Sequence, residues 1–299
     1  MKKMRKTFLI LLVLIPLGSV AQSLQRQIEN IIAGRDAEVG VAVIISGRDI
    51  VTVNNERRYP MMSVMKFHQS LYVADWLSRR GLPVDTMIHV GLEEMRPGTW
   101  SPMRDEYPDG EVGLTVAELL RYTLQQSDNN ACDVLFDRTG GPAATDRYMR
   151  SLGIDGFSIS ATEDDMHTDV SRCMDNYTTP LAAAQLVERF VAMRDSRHGV
   201  LDYIWEMMTQ CATGTGRLPA PFKGIPAVIA HKTGTGDRDS RGKLIGINDV
   251  GHVILPDGRH YSIAVFVNES SGDMASTEKI IADISGVVYE YVVKMASLR

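Results

Sequence analysis

The sequence has few cysteines, and their positions exclude two common roles. Three cysteines are present in 299 residues, namely Cys132, Cys173 and Cys211, so at least one has no partner for an intrachain disulfide. The chain is therefore not a scaffold held together by disulfides. No cysteine lies at a metal-type spacing from another cysteine or a histidine. We accordingly expect no metal site, and nothing else in the sequence indicates a cofactor.

Excess positive charge is also absent. The formal net charge is −5 and the isoelectric point is about 5.8, which argues against nucleic acid as a partner. The chain contains no block of like charge, no internal repeat and no low-complexity tract. These absences leave an ordinary folded protein as the expectation.

The long apolar run of the chain is confined to its beginning. The run from Phe8 to Leu17 follows a lysine- and arginine-rich start and precedes small residues that end at Ala21. This pattern is typical of a secretory signal peptide, and the run is too short for a membrane-spanning helix. We predict a signal peptide over residues 1–21 with cleavage after Ala21, a periplasmic or secreted mature protein, and no stable membrane association.

Strand and helix patterns divide the mature chain into two parts. Residues 39–53 have the pattern of a β-hairpin, and three further strands are predicted between residues 227 and 267. The middle of the chain is mostly helical in pattern and includes a capping box at Thr115-Val116-Ala117-Glu118. The predicted division is an α/β domain formed by residues 22–58 and 209–299 and an all-helical domain formed by residues 59–208.

A serine and a lysine stand at the start of one predicted helix. Ser63 follows Pro60 and precedes a run of apolar residues at helical spacing. Lys66 lies three residues later on the same face, so its amine can reach the Ser63 hydroxyl and activate it as a nucleophile. Since S-x-x-K occurs often by chance, a helix-capping serine and a solvated lysine are the better explanation of an isolated pair, and only further residues of the right kind can overturn it.

Two further triplets carry groups that suit an anionic substrate. Ser127-Asp128-Asn129 interrupts the helical pattern with a hydroxyl, a carboxylate that can brace the loop, and an amide. Lys232, Thr233 and Gly234 end a predicted strand and supply a positive charge, a hydroxyl and room for close backbone approach. Each triplet by itself is weak evidence for a functional site, because chance or packing explains it as well. The three motifs in this order after an export signal form a pattern that is highly specific for one protein superfamily.

The trio S-x-x-K, S-D-N and K-T-G is the signature of class A β-lactamases and penicillin-binding proteins. Over its whole mature length the chain resembles a class A serine β-lactamase. The resemblance implies an α/β plus all-α fold, in which an antiparallel sheet is flanked by helices and a helical domain is inserted. It also implies a monomeric hydrolase that opens the cyclic amide of penicillins and cephalosporins and confers antibiotic resistance.

The resemblance assigns a role to each motif residue. Ser63 attacks the lactam carbonyl, and either Lys66 directly or Glu163 through water takes its proton. Ser127 protonates the leaving nitrogen, and Glu163 activates the deacylating water. The backbone N–H groups of Ser63 and Thr235 form the oxyanion hole.

Substrate contacts follow from the same resemblance. The residues implied are Asn129 for the amide side chain, Lys232, Thr233 and Gly234 for the carboxylate, Arg217 of a T-G-x-x-R motif as added charge near Lys232, and Trp100 as a gate wall. Each of the last two has an alternative without a functional role: Trp100 as an ordinary packed tryptophan, and Arg217 as a plain surface arginine. His231, beside the K-T-G motif, is expected to be structural.

The stretch that contains Glu163 departs from the commoner family pattern. Residues 154–179 show no sustained period and many polar side chains, as functional loops often do. Ala161, Asp164 and His167 replace the usual arginine, proline and asparagine, which resembles the divergent Bacteroides-type and extended-spectrum branch of class A. His167 either helps to hold the hydrolytic water or braces the loop. At the far end of the stretch, Asn176 is expected to pin the loop through its side-chain amide.

Two rival functions share parts of this pattern. A penicillin-binding D,D-peptidase or β-lactam sensor would acylate and stay acylated, and it would have no use for Glu163 at the family spacing. A non-catalytic cell-wall-binding domain with the same fold would form no covalent adduct. Both fit less well because every chemical position needed for turnover is filled.

Overall fold

The computed structural model describes residues 17–197 and 199–295, with side chains described from residue 24 onward. Residues 1–16 of the predicted signal peptide lie outside the described residues. The strands are β1 (Glu38–Ile45), β2 (Asp49–Val53), β3 (Tyr59–Pro60), β4 (Met87–Val90), β5 (Val112–Thr115), β6 (Phe157–Ser158), β7 (Tyr177–Thr178), β8 (Val228–Thr235), β9 (Ile247–Ile254) and β10 (His260–Asn268).

Helices fill most of the space between these strands. They are α1 (Leu17–Ile32), α2 (Met65–Arg80), α3 (Pro102–Glu106), α4 (Val116–Gln125), α5 (Asn129–Thr139), α6 (Gly141–Ser151), α7 (Glu163–Thr168), α8 (Pro180–Arg197), α9 (Val200–Thr209) and α10 (Met274–Met295). No helix in the described part of the chain has the length and hydropathy needed to cross a bilayer.

The centre of the molecule is an antiparallel five-stranded sheet in the order β2-β1-β10-β9-β8. The predicted N-terminal hairpin is present, with Val41 of β1 opposite Val53 of β2. The C-terminal strands β8, β9 and β10 complete the sheet by pairing with each other and with β1. Both ends of the chain therefore build one antiparallel sheet flanked by helices, as the sequence predicted.

Both faces of this sheet are covered, which explains why its strands are apolar almost throughout. Successive side chains of a strand point to opposite faces. From β1, Val41 and Val43 join a core with Ile28 of α1 and Ile284 of α10, whereas Ala42 and Ile44 join a second core that includes side chains of α2 and α8. The site-bearing helix is thereby packed close to the sheet.

Helix α2 is buried on nearly all sides. It contacts α4, α5, α6 and α9, and even its polar residues Lys66, Gln69 and Ser70 are buried. The structure places Ser63 in a short 3₁₀ turn, Met62–Val64, and α2 itself begins at Met65. The nucleophile candidate consequently stands just before a largely buried helix rather than inside it.

The aperiodic stretch of residues 154–179 contains short elements that its sequence pattern did not reveal. They are β6, α7, a 3₁₀ helix over Val170–Asp175 and β7. None spans enough residues to show a period. Strand β7 pairs with β3, and the Met61 N–H donates to the Asn176 carbonyl at 2.8 Å. The loop is therefore tied directly to the segment that precedes Ser63.

Candidate active site

A cavity of about 620 Å³ lies where the loop of residues 154–179, the start of α5 and the edge strand β8 meet. Its lining includes one member of each motif: Ser63, Ser127 and Thr233. The structure thus brings together three stretches that are far apart in the sequence. The wall also includes Trp100, Asn129, Glu163, His167, Cys173, Thr213 and Thr235.

The Lys66 ammonium group forms the hub of the site. Lys66 Nζ lies 3.0 Å from Ser63 Oγ, and it donates to the Ser127 carbonyl at 2.7 Å and to Asn129 Oδ1 at 2.6 Å. The side chain of Lys66 is completely buried. The Ser127 carbonyl and Asn129 Oδ1 can only accept, so the amine donates to both of them.

A carboxylate completes the surroundings of the candidate nucleophile. Glu163 Oε1 lies 3.0 Å from Lys66 Nζ and 3.4 Å from Ser63 Oγ. The second distance is longer than a normal O–H···O hydrogen bond, so Glu163 and Ser63 are close without being tightly bonded. Both candidate bases therefore lie beside one hydroxyl.

Asp133, which the sequence did not single out, holds Glu163 in position. Its carboxylate accepts the backbone N–H of Glu163 at 2.8 Å and that of Asp164 at 2.9 Å, and it pairs with Arg96 at 2.9 Å. Burial, with the nearby charge of Glu163, raises the pKa of Asp133 to about 7. One signal was available: Asp133 lies four residues after Asn129 on α5, on the same face of the helix.

Asn176 pins the loop, as expected from the sequence. Its Oδ1 accepts the N–H groups of Ser160 and Ala161 at 2.8 and 3.0 Å, and its Nδ2 donates to the Ala161 carbonyl at 2.8 Å. Ala161 is itself fully buried. His167 lies in the cavity wall beside Gly98. From this position it could either help to hold the hydrolytic water or brace the loop.

Ser127 stands between two amines. Its Oγ accepts from Lys232 Nζ at 2.9 Å and lies 3.5 Å from Lys66 Nζ. Burial lowers the pKa of Lys232 to about 8, and the positive charge of Lys66 contributes in the same direction. The residue adopts a positive φ of 59°, which is uncommon outside glycine and directs its backbone carbonyl to Lys66.

The aspartate of the S-D-N motif braces this strained turn. The buried Asp128 carboxylate accepts the N–H of Ala131 at 2.8 Å, the N–H of Met103 at 2.7 Å and the Ser101 hydroxyl at 3.0 Å. The first of these bonds caps the N-terminus of α5. Asp128 therefore connects the helix start to the loop that carries the aromatic wall of the cavity.

Asn129 and Trp100 form one side of the cavity. Asn129 accepts from Lys66 and donates from Nδ2 to Thr99 Oγ1 at 2.6 Å. The Trp100 side chain is well exposed, with 61% of the residue accessible, and its indole N–H donates to the Gln126 carbonyl at 2.8 Å. The ring is thus tethered at one atom while its face remains open to the cavity.

Close backbone approach explains the glycine of the K-T-G motif. A Cβ atom at Gly234 would lie 2.5 Å from the carbonyl oxygen of Met61, which is shorter than any ordinary contact. A side chain at Gly234 would therefore push β8 away from the turn that holds Ser63. This spacing sets the distance between the candidate nucleophile and the candidate oxyanion donor at Thr235.

Arg217 lies behind β8 and not in the cavity wall. Its guanidinium donates to the carbonyls of Gly234 and Asn248, both at 2.9 Å, and to Thr235 Oγ1 at 2.7 Å, and it pairs with Glu278 at 3.0 Å. The side chain is buried. Arg217 accordingly contacts the site through the Gly234 carbonyl and Thr235 Oγ1. The sequence motif did not reveal that its guanidinium lies behind the strand.

Within the described ranges, no group of three or more histidine, cysteine, aspartate or glutamate side chains is placed to hold a metal ion. The polar groups of the cavity are instead arranged around one serine hydroxyl: a buried amine, a carboxylate and a second hydroxyl between two amines. Together with the fold, this arrangement defines a serine hydrolase.

Comparison with known proteins places the chain within that class. The model of the β-lactamase enzyme family matches residues 23–292, and the chain belongs to this family. A β-lactamase of Phocaeicola vulgatus is 39% identical over 88% of this chain and 82% of its own length. The extended-spectrum β-lactamase PER-1 of Pseudomonas aeruginosa is 35% identical over 92% and 89%.

Solved structures agree with the sequence comparison. The TLA-3 extended-spectrum β-lactamase matches with a TM-score of 0.87 and 38% identity, covering 91% of this chain and 99% of its own. A class A β-lactamase from Bacteroides cellulosilyticus also has a TM-score of 0.87, with 34% identity over 92% and 99%. The expected resemblance to the Bacteroides-type and extended-spectrum branch is confirmed, and so is a hydrolase of the β-lactam ring.

Proposed function

We propose that the protein hydrolyses penicillins and cephalosporins through an acyl-enzyme formed on Ser63. One observation carries the proposal: Ser63 Oγ lies 3.0 Å from Lys66 Nζ and 3.4 Å from Glu163 Oε1 at the wall of an open cavity. A weak nucleophile is thereby placed next to both groups that could activate it.

In the acylation step, the Ser63 oxygen attacks the lactam carbonyl carbon. Its proton passes either to Lys66 directly or to the Glu163 carboxylate, directly or through a water molecule. The backbone N–H groups of Ser63 and Thr235 stabilise the developing oxyanion. When the C–N bond breaks, Ser127 gives its proton to the nitrogen. The proton taken from Ser63 returns to Ser127 through Lys66, whose Nζ lies 3.0 Å from Glu163 Oε1 and 3.5 Å from Ser127 Oγ, so Glu163 is a carboxylate again before deacylation.

The cationic edge of the cavity orients the substrate. Lys232 and the Thr233 hydroxyl bind the substrate carboxylate, with Gly234 allowing the strand to come close. Arg217 supports this edge from behind through Thr235 Oγ1. On the opposite side, Asn129 and the exposed face of Trp100 contact the acyl side chain.

Deacylation distinguishes this function from that of a penicillin-binding protein. Glu163 takes a proton from water, the hydroxide attacks the ester carbonyl, and Ser63 leaves and regains a proton. Asp133, which accepts the Glu163 backbone N–H, and Asn176, which donates to the Ala161 carbonyl, keep the Glu163 carboxylate beside the ester.

The test is intact-mass analysis of the mature protein with excess penicillin or cephalosporin while drug loss is followed in the same tube. We expect rapid drug loss with a transient adduct that maps to Ser63 and is absent from Ser63→Ala. A persistent stoichiometric adduct without drug loss would instead indicate a penicillin-binding protein or sensor. A folded protein with neither adduct nor drug loss would indicate a non-catalytic domain.

Export and organisation complete the proposal. We infer removal of residues 1–21 and action in the periplasm or outside the cell, as a monomer whose α/β domain comprises residues 22–58 and 209–299 and whose helical domain comprises residues 59–208. The N-terminal sequence of the exported protein tests the cleavage site, because it should begin at Gln22. Light scattering of the mature protein tests the monomer.

A further inference from the structure

A second cluster of chemically active side chains lies behind the cationic edge of the cavity. It contains Cys211, just after α9, His231, which precedes Lys232 in β8, and Asp249 in β9. His231 Nδ1 lies 2.9 and 3.1 Å from the two carboxylate oxygens of Asp249. Its remaining ring nitrogen is therefore free for the Cys211 thiol, and the imidazole is near enough to Cys211 to influence the charge of the thiol.

The three side chains differ in burial. Asp249 and His231 are buried, with 0% and 3% of each residue accessible, whereas Cys211 is partly exposed. The Asp249 carboxylate also accepts the backbone N–H of Leu218 at 3.1 Å, which fixes its orientation. An enclosed carboxylate and imidazole thus support a thiol that lies nearer to solvent, the order found where a base activates a sulfur nucleophile.

The thiol is one side chain away from the substrate cavity. Cys211 Sγ lies 3.4 Å from Thr213 Oγ1, and Thr213 Oγ1 lies 2.5 Å from Thr233 Oγ1. Both threonines line the cavity. A group attached to Cys211 would therefore displace Thr213 and crowd the Thr233 hydroxyl.

Charge in this region favours the thiolate. Burial by itself raises the pKa of Cys211, but the hydrogen bond and positive charge of His231, with a contribution from Lys232, outweigh it and lower that pKa to about 7. Burial likewise disfavours the charged form of His231, yet Asp249 raises the pKa of the imidazole to about 10. The other two cysteines behave oppositely, because burial raises the pKa of Cys132 and of Cys173.

We propose that Cys211 is a site of reversible covalent modification by low-molecular-weight disulfides, activated by the His231–Asp249 pair and coupled to the substrate cavity through Thr213. The Cys211 thiolate attacks one sulfur of the disulfide, a new S–S bond forms, the old S–S bond breaks, and the other half leaves as a thiolate. No further oxidant or reductant is consumed. An added thiol reverses the exchange and restores the free cysteine.

The test uses 2-hydroxyethyl disulfide and the mature protein between about pH 6 and about pH 9, with acid quenching, intact mass and peptide mapping. We expect one adduct, on Cys211, with a rate that is half-maximal near pH 7. The adduct should lower kcat/KM for a β-lactam severalfold, and dithiothreitol should remove both the adduct and the loss of activity.

Two cysteine variants make the outcome specific. Cys211→Ser should form no adduct and keep its hydrolytic activity in the presence of the disulfide. Cys173→Ser, altered at the cysteine that lines the cavity, should be labelled at Cys211 and inhibited like the parent. Equal labelling of Cys173 or Cys132 in the native protein, or labelling of Cys211 that leaves kcat/KM unchanged, would overturn the proposal.

The role of the imidazole as a positioning group has its own readout. His231→Gln should shift the half-maximal labelling rate of Cys211 to higher pH, because the thiol loses a cationic partner. Near-UV circular dichroism checks that this buried variant is folded. An unshifted pH profile in a folded His231→Gln protein would contradict activation by His231. Labelling is measured by mass and therefore does not depend on the proposed hydrolytic function.

Discussion

The loop end and the strand end of the cavity differ in charge, and the pKa values of the cysteines nearest to each end are shifted in opposite directions. At the loop end, burial and the charge of Glu163 raise the pKa of Cys173 to about 11. At the strand end, His231 and Lys232 lower the pKa of Cys211 to about 7 against the effect of burial. The same side chain thus responds in opposite directions at the two ends of one site. This polarity suits a substrate that needs a base at its ester carbonyl and a cation at its carboxylate.

The two ends are also held together by different means. The strand end is part of a hydrogen-bonded sheet, and Arg217 adds bonds to the Gly234 and Asn248 carbonyls from behind. The loop end has little regular structure and depends on polar side chains, chiefly Asn176 and Asp133. A single substitution should therefore disturb the geometry of the loop end more readily than that of the strand end.

Removing the base at the loop end should have the largest effect on activity. Glu163→Gln keeps the shape of the side chain but cannot take a proton from water, so deacylation should slow by on the order of 10²- to 10⁴-fold. Mass spectrometry should then show an acyl-enzyme that accumulates on Ser63 during turnover.

A neighbouring acid provides the control for this variant. Asp164→Asn removes the same charge one residue later, where the side chain is 41% exposed, and should leave turnover close to that of the parent. If Glu163→Gln hydrolysed substrate at the parental rate, the role assigned to Glu163 would be wrong.

Removing the cation at the strand end should produce a different kinetic signature. Lys232→Gln loses a charged hydrogen bond to the substrate carboxylate and to Ser127, and such bonds contribute about 2 kcal/mol, or roughly thirtyfold in kcat/KM. Because this loss falls on acylation, no acyl-enzyme should accumulate. Stopped-flow kinetics with a chromogenic cephalosporin, alongside the exposed-lysine control Lys279→Gln, separates the two ends. If an acyl-enzyme accumulated in Lys232→Gln, the strand end could not be assigned to acylation and the loop end to deacylation.

Loosening the loop without touching a reacting group should have a smaller effect. Asn176→Ala removes three hydrogen bonds and leaves backbone groups of Ser160 and Ala161 unpaired, which should destabilise the protein by about 1–3 kcal/mol. Urea unfolding measures this loss, and deacylation should slow more than acylation. Asp175→Ala, beside it but exposed, is the matched control. Equal slowing of both steps would mean that the loop does not act through Glu163.

Local signals account for what the sequence predicted. The capping box of Thr115 and Glu118 begins α4 where expected, since it depends on residues only three apart. The three motifs were recognisable because their residue types and order carry the chemistry. Asn176 was also found, because the family pattern draws attention to the loop that it closes.

Contacts made only by folding account for what was missed. Asp249 reaches His231 because β8 and β9 pair in a register that places Thr233 opposite Asp249, and no local pattern contains this information. Arg217 was expected near the substrate carboxylate, but the chain path after α9 places its guanidinium behind β8.

The smallest predicted effect concerns pH and the support of the loop end. The pKa of Asp133 rises from 3.8 to about 7 on folding, because of burial and then the charge of Glu163. The native state therefore holds this proton more tightly than the unfolded chain does, so this residue's contribution to stability falls as pH rises from about 4 to about 7.

One group contributes at most about 1.4 kcal/mol per pH unit to such a slope. Urea unfolding across this range should show a shallower decline in Asp133→Asn than in the parent. Glu163→Gln should also reduce the slope, because it removes the charge that helps to raise the Asp133 pKa, whereas Lys232→Gln at the other end should not. An identical slope in all four proteins would mean that folding does not raise the pKa of Asp133, because solvent reaches its carboxylate. The strand end would then be the sole strongly perturbed half of the site.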